Sequence, residues 1–308
     1  MSESEALARV RAKIVRETAR WAQAATLDDI RESFAAFLED VGGTPEAVRR
    51  QDAEVAGLPA RWFIPQGAPR GAVVLYCHGG GFQIGSIRSH AALMARLARA
   101  AGLATLGFDY RLAPEHRFPA ALEDVERVHR ALLADGYGPI LLAGDSAGGG
   151  LALAAAIRAR EAGLASPGAI ALLSPWLDLT LSGESYAALV DEDVFSRPDQ
   201  LRAMARAYLG RGGDPSHREA SPVFADLAGL PALLVHAGGA DITLDDSRLL
   251  ARRAGERGVA CDLRIYPGMP HHFQIFADLP EAERSLAEMG AFLRARLLDL
   301  RGASGRSP

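Results

Sequence analysis

A serine flanked by glycines, Gly144-Asp145-Ser146-Ala147-Gly148, stands between an apolar run, Ile140 to Ala143, and a helix-like run, Leu151 to Glu161. A strand that turns sharply into a helix at G-x-S-x-G holds the serine hydroxyl above the sheet end, exposed for attack on a carbonyl carbon. The glycines let strand and helix approach closely and let Ser146 take a strained backbone. Such turns also arise for packing alone, so the other groups this chemistry needs decide the reading. A hydroxyl is a weak nucleophile until a base takes its proton, and the base must be oriented by a carboxylate.

A serine on such an elbow takes its partners in the chain order serine, acid, histidine. Of the eight histidines, His78, His90, His116 and His129 precede Ser146, His217 lies in an insertion, and His236 sits inside an apolar strand, where it reads as a core residue. His271 and His272 remain, in the loop after the strand ending at Tyr266-Pro267. The acid comes from Asp241, Asp245 or Asp246; the latter two are placed to cap the next helix, whereas Asp241 directly follows Gly238-Gly239-Ala240 at a strand end. The interval from Asp241 to His271 holds one helix and one strand, so two neighbouring strand ends meet. Attack on a carbonyl also develops a negative oxygen that preorganised N–H groups must receive. His78-Gly79-Gly80-Gly81, after the apolar strand 72–77, offers unobstructed backbone N–H groups, and Ala147 N–H completes the set.

The elements that carry these residues alternate between strand and helix. Apolar runs at 72–77, 103–108, 140–143, 169–173 and 233–236, and the stretch 262–266, read as strands, separated by helices over 90–101, from Pro119, over 148–162 and over 245–257, with a last helix from Pro280. Strands apolar throughout and separated by helices imply an α/β fold with a mostly parallel sheet covered on both faces. Before them stand two amphipathic helices, with Leu7, Val10, Ile14 and Trp21 on the first and Ile30, Phe34, Phe37 and Leu38 on the second, then a hairpin over 48–64 turning at Gly57-Leu58-Pro59. Between Asp178 and Val223 the alternation stops, and a helix begins at Pro198; an insertion of that length is expected to be a lid.

The composition narrows the function classes. The 308 residues are 49% hydrophobic and 23% charged, enough for one large core. A net charge of −4 with dispersed arginines excludes a basic stripe for nucleic acid. Lys13 is the only lysine, so neither a phosphate loop of the Walker type nor a lysine Schiff base is available at the strand ends. The acidic start without an unbroken apolar stretch gives the expectation of no secretory signal, no run is long enough to cross a bilayer as a helix, and Cys77 and Cys261 offer neither a disulfide framework nor a metal-ligand spacing. The expectation is a cytoplasmic protein with no metal or cofactor, no membrane or nucleic-acid partner, and a dimer face on the long C-terminal helix.

Four motifs, His78-Gly-Gly-Gly-Phe82, Tyr110-Arg-Leu-Ala-Pro-Glu115, Gly144-Asp-Ser-Ala-Gly148 and Gly268-Met-Pro-His271, resemble the hormone-sensitive-lipase-like family of α/β-hydrolase esterases, in family order over about residues 70 to 280. The resemblance implies an α/β-hydrolase core with a helical cap and hydrolysis of a small carboxylic ester. It implies Ser146 as nucleophile, Asp241 as acid, His271 as base, and Gly80, Gly81 and Ala147 as oxyanion donors. Phe82, Asp145 and Trp176 lie in or beside these motifs and are candidates for substrate contact. The stretch Ser174 to Thr180 is similar to bacterial members that include lactone hydrolases, so a lactone hydrolase or an amidase is the alternative, and a non-catalytic receptor on the same scaffold the alternative of another class. His272, adjacent to the motif histidine, departs from the commoner pattern and competes for the role of base. His78 and Glu115 are expected to be structural, holding the oxyanion loop and its neighbouring turn. The divisions expected are an N-terminal cap segment 1–45, core 46–177, cap insertion 178–217, core 218–300 and a disordered tail 301–308.

Overall fold

In the computed structural model the described backbone covers residues 3–43 and 47–304. Two helices, α1 (Glu3–Trp21) and α2 (Leu27–Gly42), lead into the hairpin β1 (Val48–Val55) and β2 (Leu58–Pro65). The core then alternates: β3 (Val73–Cys77), α3 (Ile87–Ala101), β4 (Thr105–Phe108), α4 (Ala120–Ala134), β5 (Ile140–Asp145), α5 (Ala147–Glu161) and β6 (Ile170–Leu173). After the insertion, with its short α6 (Ser185–Ala188) and its α7 (Pro198–Leu209), come β7 (Leu233–Gly238), α8 (Leu244–Glu256), β8 (Cys261–Tyr266) and α9 (Pro280–Ser304).

The strands form one eight-stranded sheet in the order β1-β2-β4-β3-β5-β6-β7-β8, parallel from β4 to β8 and antiparallel where β2 meets β1 and β4. This is the α/β-hydrolase architecture the apolar runs imply. The period of two explains why the inner strands are apolar throughout: Val73, Leu75, Ile140 and Leu142 join one core with α4, α5 and α8, while Val74, Tyr76, Leu141 and Ala143 join a second with α3 and α9. The first core extends into α7 through Leu201, Ala205 and Tyr208, and the second into α1 and α2 through Val10, Ile14 and Phe34.

Three expectations need correction. β8 is not apolar throughout, because it is the sheet's outer strand: its Asp262 and Arg264 pair at 2.9 Å on the solvent side, and Arg264 also reaches Glu288 of α9 at 2.8 Å. The stretch expected to be a disordered tail is helical as far as Ser304, and Arg301 Nη2 anchors it by donating to Arg70 O at 2.9 Å; residues 305–308 lie outside the described residues. Pro119 sits at the N-cap of α4 rather than inside its first turn. The division placed at residue 45 also lies outside the described residues. Among the described residues no helix is long and apolar enough to cross a membrane.

Candidate active site

The turn from β5 into α5 leaves no room for side chains on either side of Ser146. A Cβ on Gly144 would lie 2.5 Å from Gly148 O, and one on Gly148 would lie 2.1 Å from Cys77 O. Ser146 itself is held at φ 51°, ψ −123°, outside the regions an L-residue favours, with its N–H donating to Leu173 O at 3.0 Å. The strain lifts the hydroxyl off the helix end into a cavity of about 310 Å³.

The loops after β7 and β8 bring the other two groups to that hydroxyl. Ser146 Oγ is 2.8 Å from His271 Nε2, and His271 Nδ1 is 2.9 Å from Asp241 Oδ2. The second oxygen of Asp241 accepts Thr243 N–H at 2.8 Å and Thr243 O–H at 2.9 Å, which fixes the carboxylate plane. With Nδ1–H given to Asp241, His271 Nε2 keeps its lone pair toward the serine proton. Burial lowers the His271 pKa, but the charge and hydrogen bond of Asp241 outweigh it, with Asp193 and Asp145 adding, so the ring titrates above the ordinary 6.5. Burial conversely raises the Asp241 carboxyl, and His271 and Thr243 bring it below the usual carboxylate value.

Gly80 and Gly81 line the same cavity, at φ 118° and 59°. Side chains there would collide as well as strain the backbone, since a Cβ on Gly80 would lie 2.2 Å from Ile84 O and one on Gly81 2.3 Å from Met204 Sδ. Ala147 is the first residue of α5, where backbone N–H groups have no partner within the helix. The remaining wall comes from the chain's two non-core parts. Trp21, Ile30 and Phe34 of the N-terminal helices face Phe195, Leu201 and Met204 of the insertion. Trp21 meets Phe195 at 6.0 Å between ring centroids, and Arg11 Nη2 donates to Glu192 O at 2.7 Å, so the two parts close over the cavity together.

Of the three residues expected to touch substrate, only Trp176 lines the cavity. Phe82 is buried at a positive φ, with its ring stacked on Tyr208 of α7 at 3.8 Å. Asp145 is fully buried behind the serine. One of its oxygens accepts Tyr76 O–H at 2.7 Å and Gly79 N–H at 3.0 Å; the other meets His272 Nδ1 at 3.1 Å and His90 Nε2 at 3.3 Å. Burial raises this carboxyl, and His90 and His272 more than offset it, holding it well below the ordinary range. His272 thus faces Asp145 rather than Ser146, and burial pushes its pKa down to about 4, so it is neutral near pH 7. His90, Asp145 and His272 bring ligand-type atoms within 4.8 Å of one another, a grouping that could hold a metal ion, but both ring nitrogens already meet the same Asp145 oxygen in a closed hydrogen-bonded cluster.

Other placements differ from the reading by residue type. Asp246 does not cap α8: it accepts Leu177 N–H at 2.7 Å, Asp178 N–H at 2.9 Å and Tyr186 O–H at 2.9 Å, clasping the loop after β6. Asp245 accepts Ser185 N–H of the insertion at 2.8 Å. Glu115 pairs with Arg31 of α2 at 2.8 Å, joining a helix over the cavity to the core rather than closing its own turn. His78 does hold the loop that carries Gly80, with Nδ1 2.9 Å from Gly79 O and its ring stacked on Tyr110 at 4.1 Å. Residue types alone gave no sign of Asp193, a buried carboxylate of the insertion beside Asp241, or of the cavity wall at Phe195; both depend on contacts between distant segments.

Residues 74–275 match the α/β-hydrolase-fold family. An acetyl-hydrolase of Streptomyces hygroscopicus is 41% identical over 243 residues, 78% of this chain and 81% of the relative. An esterase of Acinetobacter venetianus is 38% identical over 230 residues, 74% of this chain and 76% of the relative. The crystal structure of an esterase from the bacterial hormone-sensitive-lipase family superposes with a TM-score of 0.92 at 42% identity, covering 96% of this chain and 99% of that one.

Proposed function

The chain belongs to the hormone-sensitive-lipase-like family of α/β hydrolases, and from that premise we propose that it hydrolyses short to medium acyl esters with Ser146 as nucleophile, His271 as base and Asp241 as orienting acid. Its reaction class is carboxylic-ester hydrolysis, as in its esterase relatives. The observation that carries the residue roles is the unbroken line from Asp241 Oδ2 through His271 to Ser146 Oγ, at 2.9 Å and 2.8 Å.

In this scheme His271 Nε2 takes the hydroxyl proton as Ser146 Oγ bonds to the ester carbonyl carbon. The carbonyl electrons move to oxygen, which the N–H groups of Gly80, Gly81 and Ala147 receive as an oxyanion hole. Asp241 stabilises the imidazolium without itself being protonated. Collapse expels the alcohol with the proton from His271 and leaves an acyl-serine. Water, deprotonated by the same ring, releases the acid and restores Ser146. Every proton and electron pair is carried by Ser146, His271, substrate and water.

The acyl group is assigned to the cavity under the N-terminal helices and α7, a cap whose apolar walls favour a hydrocarbon chain and whose size of about 310 Å³ favours a short one. A cytoplasmic location fits a chain with two unpaired cysteines, Cys77 and Cys261. The test is turnover of p-nitrophenyl acetate and butyrate by Ser146→Ala. A loss of roughly three or more orders of magnitude in kcat with the fold intact is expected; retained turnover would remove Ser146 from the reaction.

A further inference from the structure

The insertion between β6 and β7 reaches the acid turn through a buried carboxylate and a serine hydroxyl. Asp193 is wholly buried and every partner of its side chain is a donor. One oxygen accepts Phe195 N–H at 2.7 Å and Ser196 N–H at 3.0 Å, closing the turn that sets these two residues in the cavity wall. The other accepts Ile242 N–H at 2.9 Å. Ile242 directly follows Asp241, and its carbonyl accepts Ser185 O–H, also of the insertion, at 2.7 Å. Both polar groups of Ile242 are therefore gripped by the segment that walls the cavity.

We propose that Asp193 is a positioning residue of the active centre, tying the acyl-pocket wall to the turn that carries Asp241. The proposal rests on the triad reading above. A single carboxylate that accepts bonds from both sides makes the wall and the acid turn one rigid piece, so that the base keeps its register when an acyl chain presses on Phe195 and Ser196. Burial and the neighbouring Asp241 charge raise its pKa above the ordinary carboxylate value, against His271 and the N–H groups of Ile242 and Ser196. The titratable groups facing Asp193 are Asp241 and His271, and those facing His271 are Asp241, Asp193, Asp145 and His272.

The substitution that isolates this role is Asp193→Asn. An asparagine oxygen still accepts Phe195 and Ser196 N–H and preserves the local turn, while its NH₂ faces Ile242 N–H, so the grip on Ile242 N–H is lost and Ser185 alone still holds its carbonyl. Activity is normalised to the fraction of chains titrated by a serine-reactive phosphonate, which removes any loss due to misfolding. Two results are expected with p-nitrophenyl butyrate: kcat falls by about tenfold or more with KM nearly unchanged, and the acid limb of kcat/KM against pH moves down by about half a unit or more, because a loosened Asp241 turn stabilises the charged His271 ring less. A wild-type acid limb, or a kcat deficit that vanishes on normalisation, would overturn the proposal while a silent Ser146→Ala left the triad reading standing. Full turnover by Ser146→Ala would overturn both.

Discussion

Replacing Asp145 by asparagine breaks the joint on which three loops meet. Its carboxylate holds Gly79 N–H of the glycine loop, His272 of the loop that carries His271, and His90 of α3, while its own residue precedes Ser146. An asparagine keeps one acceptor. With its oxygen toward Tyr76 and Gly79, those two bonds survive as neutral ones, and its NH₂ faces two ring nitrogens that formerly met an anion. A buried hydrogen bond to a charged group contributes about 1.5–3 kcal/mol and a neutral one about 1 kcal/mol, so weakening the set costs roughly 2–4 kcal/mol. For a chain of this size that lowers Tm by about 3–6 °C. The Asp145 carboxyl is held well below its ordinary range. Its contribution is therefore fully present above the unfolded carboxylate pKa and is lost only as pH falls through the depressed folded value, so the Tm gap stays constant between about pH 6 and 8. Loosening Gly79 also loosens Gly80 and Gly81, and a loss of oxyanion alignment costs about 10–100-fold in kcat, with little effect on KM. Differential scanning fluorimetry at two pH values and steady-state kinetics on p-nitrophenyl butyrate read both effects. An Asp145→Asn enzyme within about 1 °C of wild type, with unaltered kcat, would refute the claim that this carboxylate organises the site.

The two adjacent histidines should separate cleanly in the same assay. His271→Asn loses roughly three or more orders of magnitude in kcat, whereas His272→Asn, altering a ring bonded to Asp145 rather than to Ser146, stays within about tenfold of wild type; the reverse ranking would transfer the role of base to His272. The pH profile of kcat/KM should fall on the acid side, since the base works only when neutral, and its midpoint should lie above the ordinary histidine value of 6.5 because Asp241 stabilises the charged ring. A midpoint well below that value would contradict the geometry at Asp241.

Much of the site is legible in the sequence because catalysis at strand ends is written locally. The elbow, the glycine loop and the motif histidine are each contiguous, and the first two follow apolar runs long enough to mark buried strands. The loop after the preceding strand offers three aspartates as the acid, and a strand-end position favours Asp241 over two residues with plausible helix-capping places. Local patterns could not reveal where those two carboxylates go. Asp246 binds Leu177 and Asp178, some 70 residues away, and nothing in its neighbours encodes that reach. Asp145 and His272 meet only because β5 and the loop after β8 converge behind the glycine loop. The outer strand β8 shows the same limit from another side, since its alternation of charged and apolar residues records an exposed face that an account of fully covered strands does not anticipate. The cavity wall is the least legible part: Trp21, Phe34 and Phe195 become neighbours only when two segments far apart in the chain close on the same sheet edge.

The central claim, that Ser146 is the nucleophile activated through His271, is tested most directly by intact-protein and peptide mass spectrometry after treatment with a serine-reactive alkyl phosphonate. The account predicts one adduct per chain, mapped to the peptide containing Gly144 to Gly148, absent in Ser146→Ala and formed far more slowly in His271→Ala. An adduct at another residue, or undiminished labelling of Ser146→Ala, would contradict it.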